Sequence, residues 1–371
     1  MVKNEIFCYI RDEKRRYDKK EEGYMIGVII VSLIVIVIIL SLRGGKLPRS
    51  GYPNGISERK NLEIDNGVLG LVLLSDDINN PVLLVCGGGP GIPQYLLEAI
   101  YASPLKELFT VCYWDYRGIG ASFDATIKPA DMTTERYLKD LLAVTDYLSQ
   151  RFSQDKIYIM GHSFGTYLAL KAAQAYPDKY KCYIAMSQIC NQNLSEYLAF
   201  DDMLQQYKSI GNKRMLDKLE KYDIRQSSED YNDYFFSGLR DKAMHDLGVG
   251  TTRTMHSVIT GIFFPSLSCR AYTRRERINI WRGKALSAAF PVTQDAVNFN
   301  AFDSDWQLKI PIYFLIGRYD YTCYASLQQE FYESIEAPQK GMYIFENSAH
   351  SPIYEEHERG KEVLREIISC V

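Results

Sequence analysis

The sequence predicts an α/β protein with a doubly wound, mostly parallel sheet, an inserted helical cap and an N-terminal transmembrane helix. Short apolar segments with strand character alternate with segments of helical periodicity, which is typical of parallel sheets covered by helices on both faces. A long polar stretch interrupts this alternation and predicts the cap. An uncharged run of 19 residues near the N-terminus predicts the transmembrane helix.

The N-terminal region has the pattern of a membrane anchor. Residues 1–23 form a densely charged tail, and residues 24–42 carry no charged side chain and are mostly Ile, Val and Leu. At about 1.5 Å per residue, a helix of this length spans roughly 30 Å, the thickness of the hydrocarbon core of a bilayer. A cleaved signal peptide, the alternative, would need a shorter apolar core and small residues at the cleavage site. Residues 43–57 are rich in Gly and Pro and predict a flexible linker.

The charges that flank the apolar run only weakly indicate its orientation. Six Lys/Arg precede it and five follow it within about twenty residues, so the positive-inside rule discriminates little. We expect a single-pass protein with the short tail inside and the large domain on the extracytoplasmic side, because this is the simpler arrangement.

The first part of the predicted α/β core covers residues 58–190. Residues 62–64 and 68–74 flank an Asp-Asn-Gly turn and predict a β-hairpin. Residues 135–152 repeat their apolar side chains with helical spacing. Further strands are predicted at residues 81–86, 109–114, 157–160 and 183–189 in this part, and at 310–316 and 342–345 in the second part of the core, residues 301–371.

Residues 191–300 break the alternation of strands and helices. They are polar, and their pattern predicts helices with scattered apolar contacts. The expected role of such an insertion is a helical cap over an active site. A separate partner-binding domain is the alternative.

Composition narrows the class of protein. The net charge is −3, from 43 basic and 46 acidic residues, so bulk charge gives no reason to expect nucleic-acid binding. The eight cysteines form no C-x-x-C pair and no His/Cys cluster, which argues against a zinc site. The spacing of Cys182 and Cys190 would permit a disulfide, with buried free thiols as the alternative.

The central motif is Gly-His-Ser-Phe-Gly at residues 161–165, between an apolar strand and a helical stretch. A Gly-x-Ser-x-Gly in this context is the nucleophile elbow of serine hydrolases. Its glycines let neighbouring backbone approach, the oxygen of Ser163 stands exposed above the sheet, and the N–H of Phe164 can face a developing oxyanion. An ordinary strand-to-helix turn is the alternative if no partners exist elsewhere.

A glycine-rich loop directly follows the strand at residues 81–86. Its sequence, Gly-Gly-Gly-Pro-Gly at residues 87–91, lets the backbone approach a substrate closely. We expect Gly89, or next Gly88, to supply the second oxyanion donor. A plain turn is the alternative, and a phosphate loop is disfavoured because no Gly-Lys-Ser/Thr follows.

Two residues that follow late strands complete a candidate catalytic triad. Asp320 and His350 give, with Ser163, the chain order Ser–Asp–His that is typical of α/β-hydrolases. Histidine can take the serine proton, and a carboxylate fixes the histidine tautomer and stabilises the imidazolium. A structural role is a reasonable interpretation of each residue alone, but all the features in this order favour catalysis. Of the five histidines, only His350 follows a strand at the required edge.

Two blocks of sequence resemble the proline iminopeptidases. Cys-Gly-Gly-Gly-Pro-Gly at residues 86–91 resembles their His-Gly-Gly-Pro-Gly block, and Asp-Tyr-Arg-Gly-Ile-Gly-Ala-Ser at residues 115–122 is similar to their Asp-Gln-Arg-Gly-x-Gly-x-Ser block. The resemblance covers about residues 60–190 and 300–371. It implies the α/β-hydrolase fold, with Asp115 and Arg117 bracing the loops near the site. The chain departs from the family at Gly87 and Tyr116, which makes the substrate harder to infer than the fold.

The resemblance implies a serine aminopeptidase that acts on short peptides through an acyl-enzyme, without metal or organic cofactor. The apolar run at residues 24–42 predicts that this enzyme is anchored in a membrane. Family members hold the free amine of the substrate with acidic residues near or on the cap, and Glu196, Asp201 and Asp202 are the candidates here. A solvated helix face is the alternative explanation of these acids. A carboxylesterase or other acyl hydrolase is the alternative activity, and a non-catalytic binding protein is the alternative of another class.

Overall fold

The computed structural model describes residues 27–28, 30–35 and 44–371. The tail at residues 1–23 lies outside these residues, as does most of the segment at 24–42 that the sequence predicts to span a membrane. Residues 27–28 and 30–35 are helical. In the described part of the chain, no helix has the length and apolar character needed to cross a bilayer.

One sheet of eight strands organises the described residues, in the order β1-β2-β4-β3-β5-β6-β7-β8. The pairs β1–β2 and β2–β4 are antiparallel, and every other neighbouring pair is parallel. This confirms the predicted mostly parallel sheet. The strands are β1 (Ile56–Ile64), β2 (Gly67–Ser75), β3 (Val82–Cys86), β4 (Thr110–Trp114), β5 (Ile157–His162), β6 (Tyr180–Met186), β7 (Ile312–Gly317) and β8 (Lys340–Phe345).

Helices cover both faces of the sheet. In β3, Leu83 and Val85 pack into one apolar cluster while Val82, Leu84 and Cys86 pack into the other. Because both faces are buried, the strand is a continuous apolar run rather than an alternating one. The helices are α1 (Gln94–Tyr101), α2 (Leu105–Leu108), α3 (Thr134–Phe152), α4 (Phe164–Ala175), α5 (Gln192–Ser209), α6 (Lys213–Leu219), α7 (Ser228–Phe235), α8 (Gly238–Asp246), α9 (Phe264–Ser268), α10 (Arg274–Ser287), α11 (Pro291–Val297), α12 (Ala325–Ser334), α13 (Pro352–Glu355) and α14 (His357–Cys370).

The hairpin at the start of the sheet has a two-residue turn. Ile64 pairs with Gly67, and Asn66 between them has φ of 57°. Asparagine tolerates this left-handed conformation better than most residues. Arg117 donates hydrogen bonds to the Asn66 carbonyl oxygen at 3.0 Å and to the Asp140 carboxylate at 2.8 Å. The Arg117 side chain therefore ties the hairpin turn to helix α3.

The residues between β6 and β7 divide into two parts that pack differently. Residues 199–249, on α5 to α8, bury their own apolar cluster. Residues of α10 and α11 pack instead against the two faces of the sheet, Ile280 on one face and Val292 on the other. The part with its own core is thus smaller than residues 191–300, because the C-terminal helices of that segment belong to the layers around the sheet.

The segment at residues 44–57 packs against the body of the protein, although its composition predicts a flexible linker. The Lys46 N–H donates to the Arg270 carbonyl oxygen at 3.1 Å, and a Cβ on Gly44 would collide with the Tyr272 backbone. The chain therefore enters the described domain beside the start of α10. The seven cysteines of the described residues are all free thiols, Cys182 and Cys190 included.

Candidate active site

The turn between β5 and α4 presents Ser163 in an unusual backbone conformation, with φ of 53° and ψ of −124°. A non-glycine residue rarely adopts positive φ, so the surrounding structure must hold it there. Thr166 does so by donating its N–H to the Ser163 carbonyl oxygen at 2.8 Å and its hydroxyl to the same oxygen at 2.5 Å. The geometry is that of a nucleophile elbow.

The two glycines of this turn are required by close packing. A Cβ on Gly165 would collide with the Cys86 carbonyl oxygen at the end of β3. A Cβ on Gly161 would come within 2.8 Å of the Thr166 backbone nitrogen. Helix α4 can therefore begin directly above the sheet only because neither position has a side chain.

Asp320 and His350 form a buried hydrogen-bonded pair at the same edge of the sheet. The Nδ1 atom of His350 lies 2.9 Å and 3.1 Å from the two carboxylate oxygens of Asp320. Two backbone N–H groups, those of Thr322 and Cys323, also donate to Asp320, at 3.0 and 2.9 Å. Because a carboxylate only accepts, Nδ1 of His350 carries the proton and Nε2 is left as a base.

The electrostatic surroundings keep Asp320 ionised. Burial by itself would raise the pKa of this carboxyl, since the side chain is completely enclosed. The charge and hydrogen bond of His350, with the backbone donor of Cys323, outweigh burial and place the pKa below its usual range. A stable carboxylate beside Nδ1 is what a histidine base needs to become a cation during a reaction.

A second histidine, His162 in the elbow, contacts the backbone of His350 and holds it in place. Its Nε2 lies 2.8 Å from the His350 carbonyl oxygen, and Ser187 donates its hydroxyl to the same oxygen at 3.0 Å. The two imidazole centroids are 5.1 Å apart. Burial and the neighbouring charge of His350 lower the pKa of His162 to about 3, so it stays neutral. The sequence placed His162 inside the elbow but gave no sign of this contact.

The glycine-rich loop lies against Ser163. A Cβ on Gly88 would come within 3.2 Å of the Ser163 Cβ, so the loop lies directly beside the serine. The Gly88 N–H donates to the Gln94 side chain at 3.0 Å, so Gly89 is the better oxyanion donor of the two. Phe164 is the first residue of α4, and the N–H groups of a helix's first turn have no intrahelical acceptor. These two amides are the candidate oxyanion hole.

A cavity of about 280 Å³ joins these groups to the cap. A larger cleft, of about 400 Å³, lies between Lys218 and Lys242 on the cap and is lined by none of these groups. The size and mixed lining of the first cavity suit a small substrate. Its polar lining includes Ser163 and His350 from the core and Arg240, Asp241, His245 and Lys284 from the helices above, and its apolar lining includes Leu96, Leu97, Ile100, Met244, Val258 and Ile262.

None of the three acidic residues proposed from the sequence for amine binding lines this cavity. Glu196 is completely buried and accepts from Arg240, through Nε at 2.7 Å and a second contact from the same guanidinium. Asp201 pairs with Arg225 at 2.5 Å on the cap surface. The carboxylate of Asp202 accepts from a tyrosine hydroxyl. The structure thus gives all three a protein partner.

The acid that does line the cavity is Asp241, on helix α8. Its carboxylate is 3.1 Å from Nδ1 of His245, and a third of its side chain is exposed. Burial acts to raise the pKa of Asp241, but the hydrogen bond and charge of His245 outweigh burial and leave the pKa below its usual value. The carboxyl is therefore ionised at neutral pH. Sequence reasoning missed this residue because a single Asp on a polar helix carries no local signal.

The described residues include no group of three or more His, Cys, Asp and Glu side chains placed to hold a metal ion.

Comparison with known proteins identifies the family. A sequence family described as alpha/beta hydrolase fold matches residues 81–357. The chain belongs to the alpha/beta hydrolases. This alpha/beta hydrolase is 31% identical over 302 residues to the Bacillus subtilis protein named "Probable aminopeptidase YbaC", covering 81% of this chain and 93% of that protein.

More distant relatives of this alpha/beta hydrolase include a proline iminopeptidase. The enzyme of Saccharolobus solfataricus is 24% identical over 310 residues, which cover 79% of this chain and 86% of that one. Among solved structures, the proline iminopeptidase of Mycobacterium smegmatis superposes with a TM-score of 0.62 at 14% identity, covering 84% and 98% of the two chains. An esterase of Exiguobacterium antarcticum gives 0.53 at 16% identity, with 85% and 100% covered. At these identities the structural similarity establishes the fold alone.

Proposed function

We propose that the protein is a serine aminopeptidase of the proline iminopeptidase type. One arrangement carries the proposal: Ser163 on a strained turn shares a cavity with His350, whose Nδ1 is held by Asp320. In the proposed reaction Ser163 attacks the carbonyl carbon of the substrate, and Nε2 of His350 takes the serine proton. Asp320 orients the imidazole and stabilises its cation.

The two amides of the candidate oxyanion hole complete this mechanism. The N–H groups of Gly89 and Phe164 stabilise the negative charge that develops on the carbonyl oxygen. His350 then gives its proton to the departing amine, which leaves an acyl-enzyme on Ser163. Water activated by His350 hydrolyses this ester and restores the serine.

The proposed substrate is a short peptide with a free N-terminus. Asp241 is the acidic residue that lines the cavity, and its carboxylate is ionised, so it can bind a protonated amine. The relatives named as aminopeptidases support this choice of substrate. Glu196 supports the site indirectly, because its buried ion pair fixes Arg240, the neighbour of Asp241 on α8.

A carboxylic ester is the second candidate substrate. The cavity has a largely apolar lining on the side of α1 and residues 258–262, which would accept an acyl chain. The same serine chemistry hydrolyses esters and amides, and the fold does not distinguish them.

Membrane attachment is a further part of the proposal. The uncharged run at residues 24–42 supports a single-pass anchor, with the catalytic domain on the extracytoplasmic side. Full-length protein should then stay with the membrane after alkaline carbonate washing. The catalytic domain should be digested when protease is added outside intact cells, and digestion only after lysis would contradict the orientation.

The activity itself is tested with detergent-solubilised full-length protein and its Ser163→Ala variant. Both are assayed with prolyl and other aminoacyl amides, with the same amides blocked at the N-terminus, and with short-chain esters. We expect wild type to hydrolyse the substrates with a free amine and not the blocked ones. The variant should hydrolyse neither. Hydrolysis of esters alone would replace the peptidase by an esterase, and a folded protein with neither activity would contradict both.

A further inference from the structure

Lys284 projects from helix α10 into the cavity that contains the proposed nucleophile. Its Nζ donates to the Pro90 carbonyl oxygen at 3.3 Å, on the glycine-rich loop. Within residues 44–371, no carboxylate lies within 4.0 Å of this ammonium group. Although the residue as a whole is exposed, burial around the ammonium lowers the pKa of Lys284. The cavity therefore holds a cation whose hydrogen-bond partner is a neutral carbonyl.

The other permanently charged cation of the cavity already has a partner. The Arg240 guanidinium is paired with the buried Glu196 carboxylate, whereas the Asp241 carboxylate is the anion proposed to bind the substrate amine. Lys284 is thus the charge of the cavity that an anionic group could still neutralise. A charge-assisted hydrogen bond to a ligand carboxylate would be stronger than the present contact of Lys284 with a neutral carbonyl.

A role in bracing the loop does not by itself explain the lysine. The hydroxyl of Ser287, one turn further along α10, lies 3.2 Å from the same Pro90 oxygen and 2.8 Å from the Lys284 carbonyl oxygen, between which its single proton is shared. A neutral side chain is therefore also within hydrogen-bond distance of the Pro90 carbonyl.

We propose that Lys284 binds a carboxylate of the substrate, so that the enzyme prefers dipeptides with a free C-terminus. This proposal rests on the proposed peptidase function. In a dipeptide the carboxylate carbon is three bonds, or roughly 4 Å, from the scissile carbonyl carbon. Pro90 directly follows Gly89, so the ammonium lies within roughly 10 Å of the proposed oxyanion donor, a span that such a substrate fills.

The test compares prolyl-alanine with prolyl-alanine amide as substrates of the full-length enzyme. We expect wild type to prefer the free acid by about tenfold or more in kcat/KM, mainly through a lower KM, since a charge-assisted hydrogen bond is formed only with the acid. Lys284→Gln should raise the KM for the acid by the same factor and leave the amide nearly unchanged. Lys284→Arg should keep most of the preference.

Arg282→Gln is the matched control, because Arg282 lies on the same helix, stacks on Phe123 and does not line the cavity. It should leave the preference for the acid unchanged. A wild type without this preference would overturn the carboxylate site. A Lys284→Gln variant whose kcat/KM falls equally for the acid and the amide would overturn it as well. If the variant fails to fold, raising the salt concentration in wild-type assays replaces it: the KM of the acid should rise by a larger factor than that of the amide, because salt screens the amine contact in both substrates and the carboxylate contact only in the acid.

These results separate the two proposals. Equal hydrolysis of acid and amide by wild type, abolished by Ser163→Ala, would remove only the role of Lys284. Hydrolysis of neither peptide would overturn the peptidase function and the carboxylate site together.

Discussion

The edge of the sheet and the cap contribute to one cavity, but they hold their polar groups differently. At the sheet edge, Asp320 and His350 follow consecutive strands, are buried, and are fixed by backbone donors and acceptors. On the cap side, Asp241 and Lys284 extend from helices and keep part of their surface exposed. The reactive groups therefore depend on the backbone of the fold, whereas the groups that would select a substrate depend on how separate helices pack.

The largest expected effect comes from removing the proposed nucleophile at the sheet edge. Ser163→Ala should lower kcat/KM by about 10⁴-fold or more, because no covalent intermediate can form. The loss of one hydroxyl on a turn fixed by Thr166 should leave the thermal unfolding midpoint nearly unchanged. A variant that keeps a tenth of wild-type activity would show that Ser163 is not the nucleophile.

The next effect tests what the cap needs for its own stability. Arg240→Met should lower the free energy of unfolding by about 3–5 kcal/mol, because it leaves the Glu196 carboxylate buried without its counter-charge. Arg225→Met, which breaks the exposed pair with Asp201, is the matched control and should cost less than about 1 kcal/mol. Chemical unfolding of both variants measures the difference, and similar losses would contradict the assignment of Glu196 to structure.

A smaller effect concerns Asp115, which directly follows β4. Its carboxylate accepts from the Ala121 N–H at 2.7 Å and from the Tyr272 hydroxyl at 2.9 Å. Burial raises the pKa of Asp115 to about 7, against 3.8 for the free group. Between about pH 4 and 7 the folded chain keeps a proton that the unfolded chain has lost, so stability falls as pH rises through this window and then levels off.

Asp115→Asn should remove this dependence. The stability of wild type should decrease, relative to the variant, by up to about 1.4 kcal/mol per pH unit between pH 5 and 7, and the difference should be constant above pH 8. Unfolding midpoints in denaturant at pH 5, 6, 7 and 8 provide the measurement. Parallel curves for the two proteins would show that the Asp115 carboxyl is ionised throughout.

The features that the sequence could predict are those attached to strand ends. The elbow and the glycine-rich loop directly follow strands, and Asp320 and His350 come three and five residues after the ends of β7 and β8, so local pattern and chain order locate them. The hairpin and the parallel sheet are predictable for the same reason, since alternation and turn residues act over a few positions.

The rest depends on contacts between distant parts of the chain. The position of Glu196 after β6 predicts an amine ligand. In the structure its carboxylate is instead paired with Arg240, 44 residues away, and does not line the cavity. His162 reaches the His350 carbonyl across 188 residues. Asp241 and Lys284 have no sequence signal of their own, because the packing of α8 and α10 decides which of their side chains face the cavity.

The smallest expected effect concerns Asp241, on the cap side of the cavity. Asp241→Asn should raise the KM for free-amine substrates by about tenfold and leave kcat within a few-fold, because a charge-assisted contact to a partly exposed carboxylate is modest. Esters without an amino group, which lack the cation, should be unaffected. Asp246→Asn is the matched control, since Asp246 is exposed on the same helix and pairs with Lys242.

The pattern of loss in Asp241→Asn distinguishes binding from support. If Asp241 binds the amine, the loss follows the positive charge of the substrate, and an ester whose acyl group has no amine shows none. If Asp241 instead only positions His245, with which it pairs at 3.1 Å, esters and amines should suffer equally. Because His245 and Asp241 both line the cavity, only this difference between substrates assigns the carboxylate to recognition, and an equal loss would move the amine site elsewhere on the cap.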